Sequence, residues 1–168
     1  MKTDVINMIN DADMVLVGIG EELSCEKCEI NKLMGFYNAL STAVKDKNYF
    51  VISVNPDAAI FDSTIDNGRI TAPFSDSEEI TESGEDKQWD LYMKWLSGTL
   101  NKKLLVIEFG VLLNRPNVIR WPFERVVMIN TNAKLVRINK SIPQLPSELR
   151  ERGISIGDNP LYFFDSIC

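Results

Sequence analysis

The run Met14-Val15-Leu16-Val17, followed directly by Gly18-Ile19-Gly20, constrains this chain more than any other feature. A continuous apolar tetrapeptide is the pattern of a strand covered on both faces, as in a parallel sheet, because a half-exposed strand would alternate. Gly18 and Gly20 then let the backbone turn tightly and approach a neighbour closely. In the first turn of a dinucleotide-binding sheet that neighbour is a ligand's phosphate. In an ordinary strand-to-helix turn it is protein, and both readings stand at this point. Glu21 and Glu22 come next, two carboxylates where an anion would sit. A carboxylate about 4 Å from a phosphate charge costs roughly 1 to 4 kcal/mol, depending on the effective dielectric. Helix-end dipoles and amide donors supply a similar amount. The glutamates therefore cancel the attraction of the loop unless they turn away from it.

The rest of the chain alternates in the same manner. Asp4 to Asp11 is an amphipathic opening helix, and Ile30, Leu33, Met34, Tyr37, Leu40 and Val44 recur at helical spacing over Glu29 to Lys45. Tyr49 to Val54 reads as a second buried strand, Ala58 to Ser63 as a short helical stretch, and Arg69 to Thr71 as a brief strand after the Asn67-Gly68 turn. Trp89, Tyr92, Met93, Trp95 and Leu96 mark a helix that ends near Asn101, with its aromatics read as core. Leu104 to Ile107 is the third main strand, Trp121-Pro122-Phe123-Glu124 starts another helix, and Leu135 to Ile138 is the fourth strand. Leu145-Pro146-Ser147-Glu148 opens a further helix, Ile154 to Ile156 is a short strand, and Leu161 to Ile167 is a last helix. Between the brief strand at Arg69 to Thr71 and the aromatic helix, Ser75 to Asp86 holds six acidic residues in twelve and reads as a solvated loop. Alternating strands and helices imply an α/β fold with a mostly parallel sheet covered on both faces, as one domain over 1–168. The ligand crevice of such a sheet lies at the carboxyl ends of its strands. The loops 18–24, 55–57, 108–112 and 139–143 are expected to meet there.

Charge and composition narrow the chemistry. The net charge of −6 argues against nucleic acid as a partner. Residues 1–100 hold 8 Lys/Arg and 18 Asp/Glu, a net of −10, and residues 101–168 hold 10 and 6, a net of +4. We read the asymmetry as distinct patches on one surface. No apolar run approaches the roughly 20 residues of a membrane span, and Met-Lys-Thr-Asp-Val lacks the apolar core of a signal peptide, so a cytoplasmic protein is expected. The chain has no histidine, which removes the commonest general base and metal ligand. Cys25 and Cys28 form a single CxxC with no second pair, so no structural metal site is expected. A helix beginning near Cys28 would favour a reactive thiolate, whereas Glu21, Glu22, Glu26 and Glu29 oppose one. Glu108, at the end of a buried strand, needs a cationic partner, for which Arg120 or Arg125 is expected.

The order of the loops points to a family. Gly18-Ile19-Gly20, then Asn55-Pro56-Asp57 after a Phe-Val-Ile-Ser strand, then Glu108-Phe109-Gly110-Val111, then Arg137-Ile138-Asn139, resembles the sirtuins. Pro116 to Glu124, PNVIRWPFE, is similar to the corresponding stretch of divergent bacterial members, and the resemblance spans roughly residues 13 to 145. It implies a Rossmann-like three-layer domain that binds NAD in an extended crevice. By resemblance, Gly18 and Gly20 lie beside the pyrophosphate, and Ser24 closes their loop. Asn55 and Asp57 form the nicotinamide pocket and are the candidate catalytic residues. Asn139 lies near the adenosine ribose, with Gly110 approaching from the same side. The alternative for Asn55 and Asp57 is a plain turn around Pro56 that caps the next helix.

The departures from the pattern bear on activity. The family's general base is a histidine, and this chain has none. Cys25-Glu26-Lys27-Cys28 stands where an arginine normally follows the glycine loop, and the four-cysteine zinc module is missing. Histidine-dependent deacetylation is therefore not expected. The leading expectation is a degenerate relative that binds NAD or ADP-ribose, a pseudoenzyme. NAD glycohydrolase or ADP-ribosyl transfer, which needs no histidine, is the enzymatic alternative. A non-catalytic interaction protein with a closed pocket, bound to a protein partner, is the third.

Overall fold

The computed structural model describes residues 1–75 and 86–165. Most of the acidic stretch read as a loop, and the end of the last predicted helix, lie outside the described residues. Four helices, α1 (Lys2–Asp11), α2 (Ile30–Val44), α3 (Lys87–Ser97) and α4 (Arg120–Ile129), accompany six strands, β1 (Met14–Ile19), β2 (Asn48–Ser53), β3 (Ile70–Thr71), β4 (Leu104–Phe109), β5 (Lys134–Ile138) and β6 (Gly153–Ile156). All six strands belong to one sheet in the order β3-β2-β1-β4-β5-β6, and every pairing is parallel. That is the doubly wound order in which the chain runs outward from β1 to one edge, returns, and runs outward from β4 to the other. The expected α/β, Rossmann-like three-layer architecture is the one observed.

Strand alternation assigns the faces. Val15, Val17 and Ile19 of β1 point with Val51, Leu105, Ile107 and Phe109 into a core closed by α1 and α2. Leu16, Phe50, Ile52 and Val106 point the other way, against Tyr92 of α3 and Phe123 and Val127 of α4. Because both faces are covered, all six residues of β1 are buried, which is why its sequence shows no alternation. Gly18 falls on the α4 face, where a Cβ would stand 2.6 Å from Ile119 Cγ2 and 2.8 Å from Phe123 Cε2. Its missing side chain therefore lets α4 close on the sheet.

Two predicted helices are shorter than expected. Ser147–Arg152 is a single 3-10 segment. The final helix is reduced, within the described residues, to one 3-10 turn at Pro160–Tyr162, capped by Asn159. Phe163 and Phe164 follow it into the core, edge-on to each other and packed against Phe109. Burying both rings takes an irregular chain path, so the apolar run that reads as a helix face serves as an anchor instead.

Candidate functional site

The site is built from the segments that leave the carboxyl ends of β1, β2, β4 and β5, and hydrogen bonds join all four. Asn55, just past β2, is 2% exposed and donates from Nδ2 to the carbonyls of Gly20 (3.1 Å) and Leu23 (3.0 Å). Asn139, just past β5 and fully buried, donates from Nδ2 to the Val111 carbonyl (2.7 Å), and its Oδ1 accepts from the amides of Ser141 and Ile142 (2.8 Å each). Both amide side chains thus replace backbone pairing that irregular loops cannot supply, and each sets the shape of a loop. Gly20 donates its N–H to Phe109 O, and a Cβ there would lie 2.2 Å from Val111 Cα and 2.3 Å from Gly110 O. The close approach that Gly20 permits is to the backbone of the β4 loop. Gly110 takes φ +65°, the left-handed region that favours glycine, with Glu22 Cβ and Oε2 packed over it.

The two glutamates do not project into solvent. Glu21 Oε2 accepts the Leu112 N–H at 2.9 Å. Glu22 Oε2 accepts the Lys140 N–H at 3.3 Å, and its Oε1 accepts the Ser141 hydroxyl at 3.2 Å. Donors turned toward the crevice by the loops after β4 and β5 are thus taken by the protein's own carboxylates, in charge-assisted hydrogen bonds.

A cleft of about 340 Å³ opens between the loops after β1, β2 and β4, lined by Glu21, Ser24 to Lys27, Val54 to Asp57, Asn114 and Arg115. It sits at the topological switch point, where chain crossings leave the sheet to opposite sides. Of the candidate residues, Ser24, Asn55 and Asp57 line it, whereas Gly18, Gly20, Gly110 and Asn139 lie behind its walls or on the β5 side. Asp57 accepts the Cys25 N–H (3.0 Å) on Oδ2 and the Ala59 N–H (3.3 Å) on Oδ1, the second bond being the turn-capping role that Pro56 made plausible. It stays half-buried at the cleft wall. A smaller cavity of about 200 Å³, lined by Glu22, Lys27, Lys140 and Asn159, continues the crevice toward β5.

Arg115 is a site residue that sequence reasoning missed. Its guanidinium lies 3.8 Å from the Phe74 ring centroid and donates to the Val54 carbonyl at 3.3 Å, joining the loops after β3, β2 and β4. Leu112-Leu113-Asn114-Arg115-Pro116, a turn-rich stretch directly after a buried strand, was the available signal. Arg115, Lys27 and Lys140 are exposed along the crevice, and none has an ion-pair partner among the described residues.

Behind the crevice, Glu108 pairs with Arg137, not with Arg120 or Arg125. The two are register neighbours on β4 and β5 and face α4 together. Arg137 Nε and Nη2 contact the two Glu108 oxygens at 2.6 and 3.1 Å, Nη2 reaches Glu124 at 2.7 Å, and Nη1 donates to Gln144 O at 2.7 Å. Arg125 lies on the exposed side of α4, while Arg120 is spent on the carbonyls of Val111 and Ile142. Burial pushes the Glu108 carboxyl up, and the Arg137 guanidinium pulls it back. The bidentate contact uses both oxygens as acceptors and so holds the carboxylate form. This network positions the loop after β5 from below and does not reach the cleft.

The cysteines precede α2 and are not at its first turn. Cys25 is exposed, yet its thiol is pushed up to about 11, by desolvation first and then by its hydrogen bond and charge interaction with Asp57. Cys28 donates its thiol to Glu22 O at 3.3 Å and is also pushed up, by burial and the charge of Asp57, against the pull of Lys27. Neither has the character of a redox nucleophile. Among the described residues no group of three Cys, Asp or Glu is placed to hold a metal ion, and no helix is long and apolar enough to cross a membrane.

Another cavity, of about 290 Å³, lies at the opposite, amino end of the strands. Lys103 pairs there with Asp11 at 3.6 Å and Arg152 donates to the carbonyls of Val127, Asn130 and Ala133, while Lys134 lines the cavity without an ion-pair partner among the described residues. The loops that leave β1, β2, β4 and β5 converge at the carboxyl end, at the switch point of the sheet.

No family model matches the chain. A protein ADP-ribosyltransferase of Staphylococcus aureus is 28% identical over 72 residues, which is 43% of this chain and 23% of that protein, so the match spans less than a quarter of the relative. A solved structure of an exopolyphosphatase-related protein from Bacteroides fragilis aligns over 92% of this chain and 38% of its own, at 13% identity and a TM-score of 0.45. At that similarity it bears on neither fold nor function. The comparisons thus connect the chain, over part of its length, to a protein named for ADP-ribosyl transfer.

Proposed function

We propose that the carboxyl-end crevice takes NAD or an ADP-ribose-type nucleotide, and that the chain is a degenerate sirtuin relative without histidine-dependent deacetylation. The observation that carries this reading is the cleft at the switch point of a parallel β3-β2-β1-β4-β5-β6 sheet, rimmed by Lys27 and Arg115, which have no ion-pair partner among the described residues. An anionic ligand suits that rim, where Lys27 and Arg115 offer charge and the Phe74 ring holds the Arg115 guanidinium in place from outside the cleft. In this reading Ser24 and Asp57 touch the ligand. Asn55 and Asn139 act as positioning residues that hold the loops after β1 and β4, and Gly18, Gly20 and Gly110 supply close packing.

A second reading is NAD glycohydrolase or ADP-ribosyl transfer. The partial similarity to the staphylococcal protein and the half-buried carboxylate of Asp57 at the cleft wall favour it. Asp57 would stabilise positive charge developing on the ribose as the bond to nicotinamide breaks.

Thermal unfolding in the presence of NAD, ADP-ribose and AMP tests the proposal. A ligand at 100 times its dissociation constant adds about 2.7 kcal/mol, which moves the midpoint by several degrees. Stabilisation by NAD or ADP-ribose is expected, and unchanged midpoints with all three would leave the interaction-protein reading in its place. Nicotinamide release that is lost in Asp57→Asn would favour the enzymatic reading. Stable NAD in the wild-type complex would favour a binding module.

A further inference from the structure

We infer that Glu22 is an internal stand-in for a phosphate-class anion, and that the cavity it lines with Lys27, Lys140 and Asn159 is a phosphate subsite that opens when this carboxylate leaves. The inference deepens the proposed nucleotide reading and, in its nucleotide arm, rests on it.

Three observations meet at this place. The Glu22 carboxylate sits on one backbone amide and one hydroxyl, Lys140 N–H and Ser141 Oγ, which is the donor set that protein loops offer to phosphate oxygens. The cavity beside it, about 200 Å³, is large enough for a diphosphate, and both its cations lack an ion-pair partner among the described residues. The carboxylate is also held over the crevice: Glu22 N donates to Gly110 O at 3.1 Å, and its Cβ packs where a side chain on Gly110 would stand. Only glycine at 110, at φ +65°, leaves that space. Glu21 is a separate case, since its carboxylate is committed to Leu112 N–H and it does not line this cavity.

The consequence is specificity by competition. A phosphate group reaches Lys140 N–H and Ser141 Oγ only by displacing Glu22, so the wild-type chain discriminates against phosphate-bearing ligands by the strength of its own carboxylate contact. Ligands without phosphate, such as adenosine, do not meet that barrier. Lys27, which lines both cavities, is the cation placed to hold the displaced carboxylate or the arriving anion.

The test measures Glu22→Ala and Glu22→Gln beside the wild type, by thermal unfolding at matched ionic strength with inorganic pyrophosphate, and by calorimetric titration with ADP-ribose and adenosine. Circular dichroism checks that each variant is folded, and the near-isosteric glutamine covers failure of the alanine. Pyrophosphate is expected to raise the midpoint of the variants and not that of the wild type. ADP-ribose is expected to bind the variants at least tenfold more tightly than the wild type, while adenosine binds all three alike. Adding Lys140→Ala to Glu22→Ala should reverse the pyrophosphate gain. Pyrophosphate that stabilises neither folded variant, or stabilises the wild type equally, overturns the inference. Pyrophosphate binding to the variants with no ADP-ribose binding by any form would uphold the anion subsite and sink the nucleotide reading.

Discussion

At the scale of single residues, the glycine-broken turn after β1 shows how one feature serves two readings. The spacing of Gly18 and Gly20 suited a ligand's approach and a protein's approach equally, and the structure puts protein at both. A Cβ at Gly20 would meet backbone atoms at 2.2–2.4 Å, which cannot rotate away, so Gly20→Ala is expected to cost about 3 kcal/mol or more in urea unfolding. Gly35→Ala is the control: mid-helix in α2 with nothing within 4 Å of the added Cβ, it should gain about 0.5–1 kcal/mol. Equal effects at the two positions would contradict the packing account. Cys25 gives a residue-scale test by pH. Its thiol pKa is raised toward about 11, so between the unfolded value and that value the folded chain keeps a proton that the unfolded chain has lost. The stability contributed by this group therefore falls as pH rises through that window. In a chain with Cys28→Ser and Cys168→Ser, which removes only the smallest of the upward contributions, alkylation of Cys25 should stay slow at pH 8 and inflect above the usual thiol value. An inflection at or below 9 would show that neither desolvation nor Asp57 acts on the thiol as described. What a sequence cannot show at this scale is the direction of a side chain. Glu21 and Glu22 were legible as misplaced charge, but their docking on Leu112, Lys140 and Ser141 depends on loops about 90 to 120 residues away.

At the scale of elements, apolar runs and helical spacing located every main strand and the four helices to within a few residues. Leu161 to Ile167 carries the periodicity of a helix, yet Phe163 and Phe164 are drawn onto Phe109, and tertiary burial overrode the local pattern. The Glu108 partner was misread for a related reason. Arg120 and Arg125 lie nearer in sequence, whereas Arg137 is adjacent only because β4 and β5 pair in parallel. Parallel register is set by the whole sheet, not by the neighbourhood of either strand. The Glu108–Arg137–Glu124 network ties β4, β5 and α4 together under the loop after β5. Arg137→Met leaves Glu108 fully buried without its partner, a change expected to cost about 3–5 kcal/mol. Pairing Arg137→Met with Glu108→Leu should recover most of that loss. Denaturant midpoints check both, and a single substitution costing under about 1 kcal/mol would contradict the network's role.

At the scale of the whole molecule, strand continuity and β-α alternation were enough to reach a doubly wound sheet and to place its crevice at the carboxyl ends. The four loops do meet there. The excess of acid in residues 1–100 and of base in 101–168 acquires a local meaning in the crevice, where Lys140 and Arg115 come from the basic part and Glu21 and Glu22 from the acidic part. What the crevice holds depends on which of these charges a ligand meets first, and composition carries no information about that. The most direct measurement is a backbone amide NMR titration of the folded chain with ADP-ribose. Saturable shifts are expected at Gly20 to Lys27, Asn55, Asp57, Leu112 to Arg115, and Lys140 to Ser141, with the amino-end cavity around Met8, Leu105 and Arg152 unmoved. Shifts centred on that opposite cavity, or none at millimolar ligand, would contradict the nucleotide reading.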